Sequence, residues 1–307
     1  MKDTDTRHLS WDEWDELKNP RPEGCEFDAV VERALSRRGF LRGVLAFGSG
    51  AAVMGAGTLM GTTSARAQAA ASRLGFTPIQ AFTDSTVHVP EGYEWSTLAR
   101  WGDPLFSDAA PFDPETGVDL ASSDKVFGEN TDGMELFTVD GRQLIAVNHE
   151  YVNPDINLPQ TGGDVTSAED AQKLMNLQGV TVMEVAEGDD GWAIVVDSPY
   201  NRRIHHNTPM RLSGPASGSD LLKTDADPTG TESLGTFNNC GAGKTPWGTY
   251  LTCEENFNGY FGSTDPEASL PEDYARYGIG LESRYAYEQY DARFDVSQNP
   301  NEPYRAG

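Results

Sequence analysis

The sequence predicts an all-β fold of the β-propeller kind with few short helices. Three observations carry that expectation. Strand-like segments come in pairs around turn signals, the pairs recur about 50 residues apart, and helical periodicity is scarce. A propeller blade is a small meandering sheet, which suits such a recurrence.

The first pair is "MELFTV" (134–139) and "QLIAVN" (143–148) around Asp140-Gly141. Asp-Gly is a strong two-residue hairpin signal, because both turn positions need positive φ. The second pair is "VTVMEVA" (180–186) and "WAIVVD" (192–197), joined by "EGDDG". The third is "SLGTFNN" (233–239) and "WGTYLTCEE" (247–255), joined by "CGAGKTP", with Gly241 and Gly243 as turn residues. Trp247, Tyr250, Leu251 and Phe257 are expected to be buried around it. The one clear helix is "SAEDAQKLMNLQ" (167–178), with Ser167 as N-cap and Asp170 at the third position of the cap. "IAVNHEY" (145–151) can be laid over "LTCEENF" (251–257) as an internal echo, placing two acid-bearing strand ends at equivalent positions of successive sheets. The last residues stop without a closing element. An open up-and-down sheet exposes its edges, so the chain is expected to be the N-terminal portion of a longer propeller.

The chain has 307 residues and a formal net charge of −25. Phosphate backbones repel such a surface, which argues against a nucleic-acid partner. Solubility explains the acid excess, and so does a gathering of carboxylates around cations. Residues 1–67 read as a leader. "SRRGFLR" (36–42) is followed by the Gly- and Ala-rich apolar run 43–61 and by small residues around Ala65 and Ala67. A twin arginine, a weakly hydrophobic core and an A-x-A-like cleavage region predict export by the twin-arginine machinery, with no membrane span after cleavage. The mature domain is then 68–307, beginning with an extended arm over 68–85. Twin-arginine substrates travel folded, often with a metal or cofactor already assembled.

Several segments carry candidate chemistry. In "NHEY" (148–151), strand alternation puts Asn148 and Glu150 on one face and His149 on the other. Asn plus Glu is a hard-oxygen pair suited to calcium, and a polar strand terminus reads equally well. In "TCEEN" (252–256), Glu254 and Glu255 are adjacent, so a regular strand cannot aim both at one ion. They reach two neighbouring ions, or one supports the other, or both are solvated. In "FGENTDGMELF" (127–137), Glu129, Asn130 and Asp132 fail the EF-hand pattern. A capped turn and a loop oxygen ligand to calcium, Asp132, both stay open. "NNCGAGKTPWG" (238–248) is not a phosphate loop, because Pro246 and a strand come where a helix is needed. Cys25 falls in the leader. That leaves Cys240 and Cys253 either as a disulfide or as one thiolate metal ligand and one buried small side chain. "PYNRRIHHNTPMR" (199–211) clusters cations in an acidic chain, and Arg202 and Arg203 are candidate phosphate contacts or internal ion pairs. There is no G-x-S-x-G elbow and no H-E-x-x-H motif.

The segment "NNCGAGKTPWGTYLTCEENFNGYF", the "NHEY" after a strand, the "DGMELF" ahead of it and the "SRRGFL" leader together resemble PhoX-type alkaline phosphatases. The resemblance implies a periplasmic or secreted phosphatase on a six-bladed propeller, with Fe3+ and Ca2+ in the central channel and one iron held by a cysteine thiolate. Carried onto this sequence, that thiolate is Cys240, and Glu150 and Glu254 or Glu255 are acidic ligands. The family is longer than this chain, which implies further ligands beyond Gly307. The implied activity is metal-dependent hydrolysis of phosphate monoesters by a monomer. A calcium-dependent propeller lactonase or esterase and a non-catalytic calcium-stabilised binding propeller are the alternatives. The leader reading makes one prediction. Replacing Arg37 and Arg38 with lysines should retain the precursor in the cytoplasm on cell fractionation, and continued export would contradict it.

Overall fold

The computed structural model describes residues 76–306 except 78 and 190. The leader, its twin arginine and cleavage region, and residues 68–75 of the arm lie outside the described residues. Residues 76–96 belong to one compact unit and 97–306 to another. In the first, residues 79–83 and 87–90 carry no regular structure, and Asp84 accepts from the His88 ring, which stacks on Phe82 at 3.7 Å.

The second unit is mostly β. Strands β1 (Thr131–Val139) and β2 (Arg142–His149) pair antiparallel, and Asp140 and Gly141 both take positive φ (51° and 79°). The Asp-Gly hairpin is therefore as expected. A four-residue helix α1 (Pro154–Asn157) and helix α2 (Ala168–Asn176) come next. The Ser167 hydroxyl accepts from the Asp170 N–H, and the Asp170 carboxylate reaches back to Thr166. The expected cap thus forms, shifted by one position on its return bond.

Strand β3 (Gly179–Gly188) pairs with β2 and with β4 (Gly191–Ile194), and β5 (Arg202–Ile204) adds to the start of β3. The first two expected hairpins are consequently one sheet, in the order β1-β2-β3-β4, and not two blades. The second strand stops at Ile194 because Asp197 turns the chain with φ of 60° and accepts from the Ser107 N–H.

The third hairpin also differs from expectation. Residues 232–235 form β7 (Glu232–Gly235), which pairs with β6 (Thr208–Arg211). The glycine-rich stretch is itself a strand, β8 (Asn239–Lys244), paired with β9 (Tyr250–Glu254). Gly241 and Gly243 therefore lie in a strand, and the turn sits at Thr245–Gly248, with Pro246 at its second position and the Gly248 N–H donating to the Thr245 carbonyl. Helix α3 (Tyr274–Tyr277) and several 3-10 turns complete the described chain. The described residues form three separate antiparallel sheets, and no closed sheet is seen among them.

Strand β2 is buried on both faces, which accounts for its nearly continuous apolar run. Ile145 and Val147 pack with Leu105, Phe127, Met183 and Val185 on one side. On the other, Leu144, Val180, Val182 and Phe237 line a cavity of about 650 Å3 that also receives Arg293 and Arg305. A second core joins Leu174 of α2 to Tyr260, Phe261, Tyr285, Tyr287 and Phe294. His206 sits inside it, fully buried and stacked on Phe237. Trp247 and Leu251, expected inside, are 78% and 60% exposed. They lie on the outward side of the β8–β9 hairpin, while Tyr250 and Phe257 are half-buried.

Strand β8 lies against β1. The Tyr250 hydroxyl lies 3.0 Å from the Gly133 carbonyl, and Lys244 donates to the Leu136 carbonyl with its ammonium 4.7 Å over the Phe137 ring. Lys244 is thus an exposed strut between the hairpins. A Cβ on Gly133 would meet Ala242 Cβ at 2.5 Å and the Cys240 carbonyl at 2.6 Å. At the foot of β1, the buried Glu129 carboxylate accepts from the Asn153 N–H (3.0 Å), the Asn153 side-chain amide and the Asn157 side-chain amide (2.8 Å). Burial outweighs those bonds and pushes its pKa from 4.5 up to about 7.

This packing can be tested at two positions. Gly133→Ala should cost about 1–3 kcal/mol in chemical denaturation, the usual range for overpacking; wild-type stability would contradict the close approach of β8. Glu129 is protonated more readily folded than unfolded, so its contribution is present below pH 4.5 and is lost as pH rises through about 7. Relative to Glu129→Gln, the wild type should lose up to about 3 kcal/mol between pH 5 and pH 8. A difference that stays flat with pH would contradict this.

Candidate metal centre

The strand ends of two hairpins build the site. Asn130 and Asn238 each precede the first strand of a hairpin, and each takes a left-handed φ (42° and 49°) that asparagine tolerates. The Asn130 carbonyl accepts from the Glu150 N–H (3.0 Å), and the Asn238 carbonyl accepts from the Glu255 N–H (2.9 Å). Both hairpins then bulge just inside, between Thr131 and Met134 and between Asn239 and Ala242. The internal echo is therefore structural, but it is offset by one residue from the sequence match. Glu150 corresponds to Glu255, not to Asn256, because the left-handed asparagines and the bulges set the register.

Cys240 lies in the bulge of β8, half-buried. Its thiol is within hydrogen-bonding reach of Glu255 and feels the charge of Glu150. Burial first, then the Glu255 hydrogen bond and the two carboxylate charges, push its pKa up to about 11. Asn148 is fully buried and supports this arrangement from behind. Its Nδ2 donates to the Cys240 carbonyl (2.8 Å) and the Gly241 carbonyl (3.3 Å), and its Oδ1 accepts from the Tyr250 hydroxyl (2.8 Å). His149, on the other face as alternation requires, faces the Glu129 carbonyl and Thr181 Oγ1.

The structure thus puts the Cys240 thiol within hydrogen-bonding reach of Glu255 and in the field of Glu150, with Asn148 holding the strand that carries the thiol. It separates the other candidates. Glu254 turns the opposite way from Glu255, and its Oε1 accepts from Thr236 Oγ1 (2.7 Å) and the Phe237 N–H (3.1 Å) beside the apolar cavity. Asp132 is exposed at the start of β1, where its charge acts on the Tyr250 hydroxyl. Arg203 is buried in the sheet interior, donating to Thr181 Oγ1 and to the Asn176 and Gln178 carbonyls at 2.8 Å each. It is not placed to meet a phosphate from solvent. Arg202 is exposed, bonds the Tyr200 carbonyl and lines the apolar cavity. Cys253 is exposed and both cysteines are free, so neither the disulfide nor the packing role for Cys253 holds here. Strand alternation sends its side chain away from the core.

One thiol and two carboxylates are a donor set that suits iron through sulfur and calcium through oxygen. Among the described residues, no group of three or more His, Cys, Asp or Glu side chains is placed to hold a metal ion. The donors fit such a group chemically but supply only part of its coordination. Sequence reasoning missed Asn238 and Tyr260. Asn238 was visible as an asparagine before a strand, at the place Asn130 holds in the first hairpin. Tyr260 carried no signal beyond its aromatic ring.

Comparison with known proteins places these features. A family profile described as alkaline phosphatase PhoX matches residues 74–307. Among solved structures, PhoX of Pseudomonas fluorescens in complex with vanadate, a transition-state analogue, is 46% identical with a TM-score of 0.72. The match covers 76% of this chain and 40% of that one, so the chain spans less than half the length of that relative. No curated protein sequence matches. The chain belongs to the PhoX alkaline phosphatase family.

Proposed function

We propose that the chain contributes part of the active centre of a metal-dependent phosphomonoesterase, one that releases phosphate from organic phosphate esters outside the cytoplasm. The observation that carries the reading is the meeting of Cys240, Glu150 and Glu255 at two adjacent strand ends in a chain of the PhoX family. The bound vanadate of the Pseudomonas fluorescens relative supports it. A dianionic ester approaching a chain of net charge −25 needs a local reversal of sign, which bound cations supply.

In this reading Cys240 holds Fe3+ through its thiolate, and Glu150 and Glu255 hold Fe3+ or Ca2+ through oxygen. Bound there, the ions would stabilise the transferring phosphoryl group and lower the pKa of an attacking oxygen. The chain's own part is to fix the donors. Asn148 clamps the Cys240 backbone, and Asn130 and Asn238 orient the two glutamate-bearing ends. Asn148 serves the centre from outside its coordination, Glu254 beside the apolar cavity and Asp132 exposed on β1 stay apart from it, and Arg202 stays a candidate for phosphate only at the cavity mouth. A six-bladed propeller is the architecture we propose for the whole protein, in which strand ends of successive blades converge. Export by the twin-arginine route to the periplasm or beyond completes the proposal. Among the described residues no helix is long and apolar enough to cross a membrane.

Hydrolysis of a chromogenic phosphate monoester should disappear with chelator and return with Ca2+. In Cys240→Ala, iron content should fall and activity with it. Unchanged iron in that variant, or turnover by wild-type protein shown by elemental analysis to hold neither metal, would contradict the reading.

A further inference from the structure

We infer that Tyr287, Gln178, Tyr260 and Asn238 form a one-way chain of buried hydrogen bonds that holds Glu150 in place at the metal centre. The inference rests on the metal-centre reading of Cys240, Glu150 and Glu255. All four side chains are fully buried at 0% exposure. Asn238 Nδ2 lies 3.3 Å from Glu150 Oε1, and Asn238 Oδ1 lies 3.0 Å from the Tyr260 hydroxyl. The Tyr260 hydroxyl is also 2.7 Å from the Gln178 carboxamide. With Oε1 of Gln178 toward it, that hydroxyl faces two acceptors with a single proton. In the same orientation Gln178 Nε2 and the Tyr287 hydroxyl are both buried without a partner, although the Tyr287 hydroxyl is within reach of the Gln178 amide.

One rotation of the Gln178 carboxamide by 180° gives Nε2 a partner in the Tyr260 oxygen, leaves the Tyr260 proton a single acceptor, and turns Oε1 toward the Tyr287 hydroxyl. Carboxamide O and N are alike in shape, so their orientation is set by the network around them. The order can be deduced from the carboxylate outward. An ionised Glu150 only accepts, so Asn238 must present its NH2 there. Asn238 Oδ1 then accepts from the Tyr260 O–H. Tyr260 oxygen, having given its proton, accepts from Gln178 Nε2. Gln178 Oε1 is left to accept from the Tyr287 O–H. The orphaned Gln178 Nε2 is satisfied by this change, and the cost of leaving a buried amide unpaired in an apolar surrounding is what enforces it. The residue at the end of the chain also touches the second hairpin, because the Asn238 carbonyl accepts from the Glu255 N–H. Asn238 therefore fixes both acids, and Tyr260, Gln178 and Tyr287 are positioning residues behind it.

The test uses the full chain stripped of metal and titrated with Ca2+ by calorimetry. Tyr260→Phe keeps the ring and removes the O–H. It should weaken Ca2+ binding about tenfold, as loss of a group orienting a ligand does. Gln178→Glu, which cannot donate when ionised, should weaken it at least as much, and Tyr287→Phe should have a smaller effect of the same sign. A merely structural role would lower the melting temperature of the metal-free protein and leave Ca2+ affinity at the wild-type value, which would overturn the inference. A second measurement needs no metal. The Asn238 side-chain nitrogen resonance should move upfield in Tyr260→Phe and Gln178→Glu as the donor becomes less polarised, and an unmoved resonance in both would overturn the chain. If wild-type protein takes up no Ca2+, the metal reading fails by itself, and the resonance shift then decides the hydrogen-bond chain alone.

Discussion

The arrangement depends on one buried hydrogen bond, from the Asn148 carboxamide to the Cys240 carbonyl. Asn148 is the penultimate residue of β2 in the first sheet, and Cys240 lies in the bulge of the second hairpin. With no competing water, that bond and its companion to Gly241 pin the β8 backbone to β2, and the Tyr250 hydroxyl closes the remaining acceptor. The thiol of one hairpin is thereby held beside the glutamate of the other. Gly133 makes the approach sterically allowed, since any side chain there would occupy the space of Ala242. Removing the bond would leave a buried amide and a buried carbonyl unpaired, which costs more than the bond itself contributes.

Electrostatics is the reason the proposed site would favour a cation. A protonated thiol between two carboxylates is what the bare polypeptide adopts, because burial and like charge both disfavour the thiolate. In the proposed reading a bound multivalent ion would offset each of those effects, with the thiol as a ligand and the carboxylates as its partners. The same chain carries a large negative charge elsewhere, so the local reversal is also what would let an anionic ester approach. Fold and chemistry meet in the left-handed asparagines, which give each hairpin a carbonyl latch and deliver one glutamate from each.

Much of this was legible in the sequence where the signal was local. Asp140-Gly141 dictates its turn, Ser167 and Asp170 dictate a helix start, and "NHEY" and "TCEEN" mark acid-bearing strand ends. Where the outcome depended on a distant partner, the reading failed. Residues 233–235 look like the start of a hairpin with residues 247–255, yet they pair back to 208–211. The glycines of 241–243 read as a turn because glycine is a poor strand former, but β1 and Asn148 supply the contacts that make them a strand. Arg203 read as either an anion contact or an internal partner, and burial under three carbonyl and hydroxyl acceptors gives it a structural task. The one-residue shift between Glu150 and Glu255 could not be read from spacing, since it arises from positive φ at two asparagines.

X-ray absorption at the iron edge of the purified full-length protein tests the central claim most directly. The account predicts a sulfur atom bonded to iron, with the remaining neighbours oxygen. Iron surrounded by oxygen and nitrogen alone would contradict it, because Cys240 would then be a bystander to the centre that its position beside Glu150 and Glu255 implies.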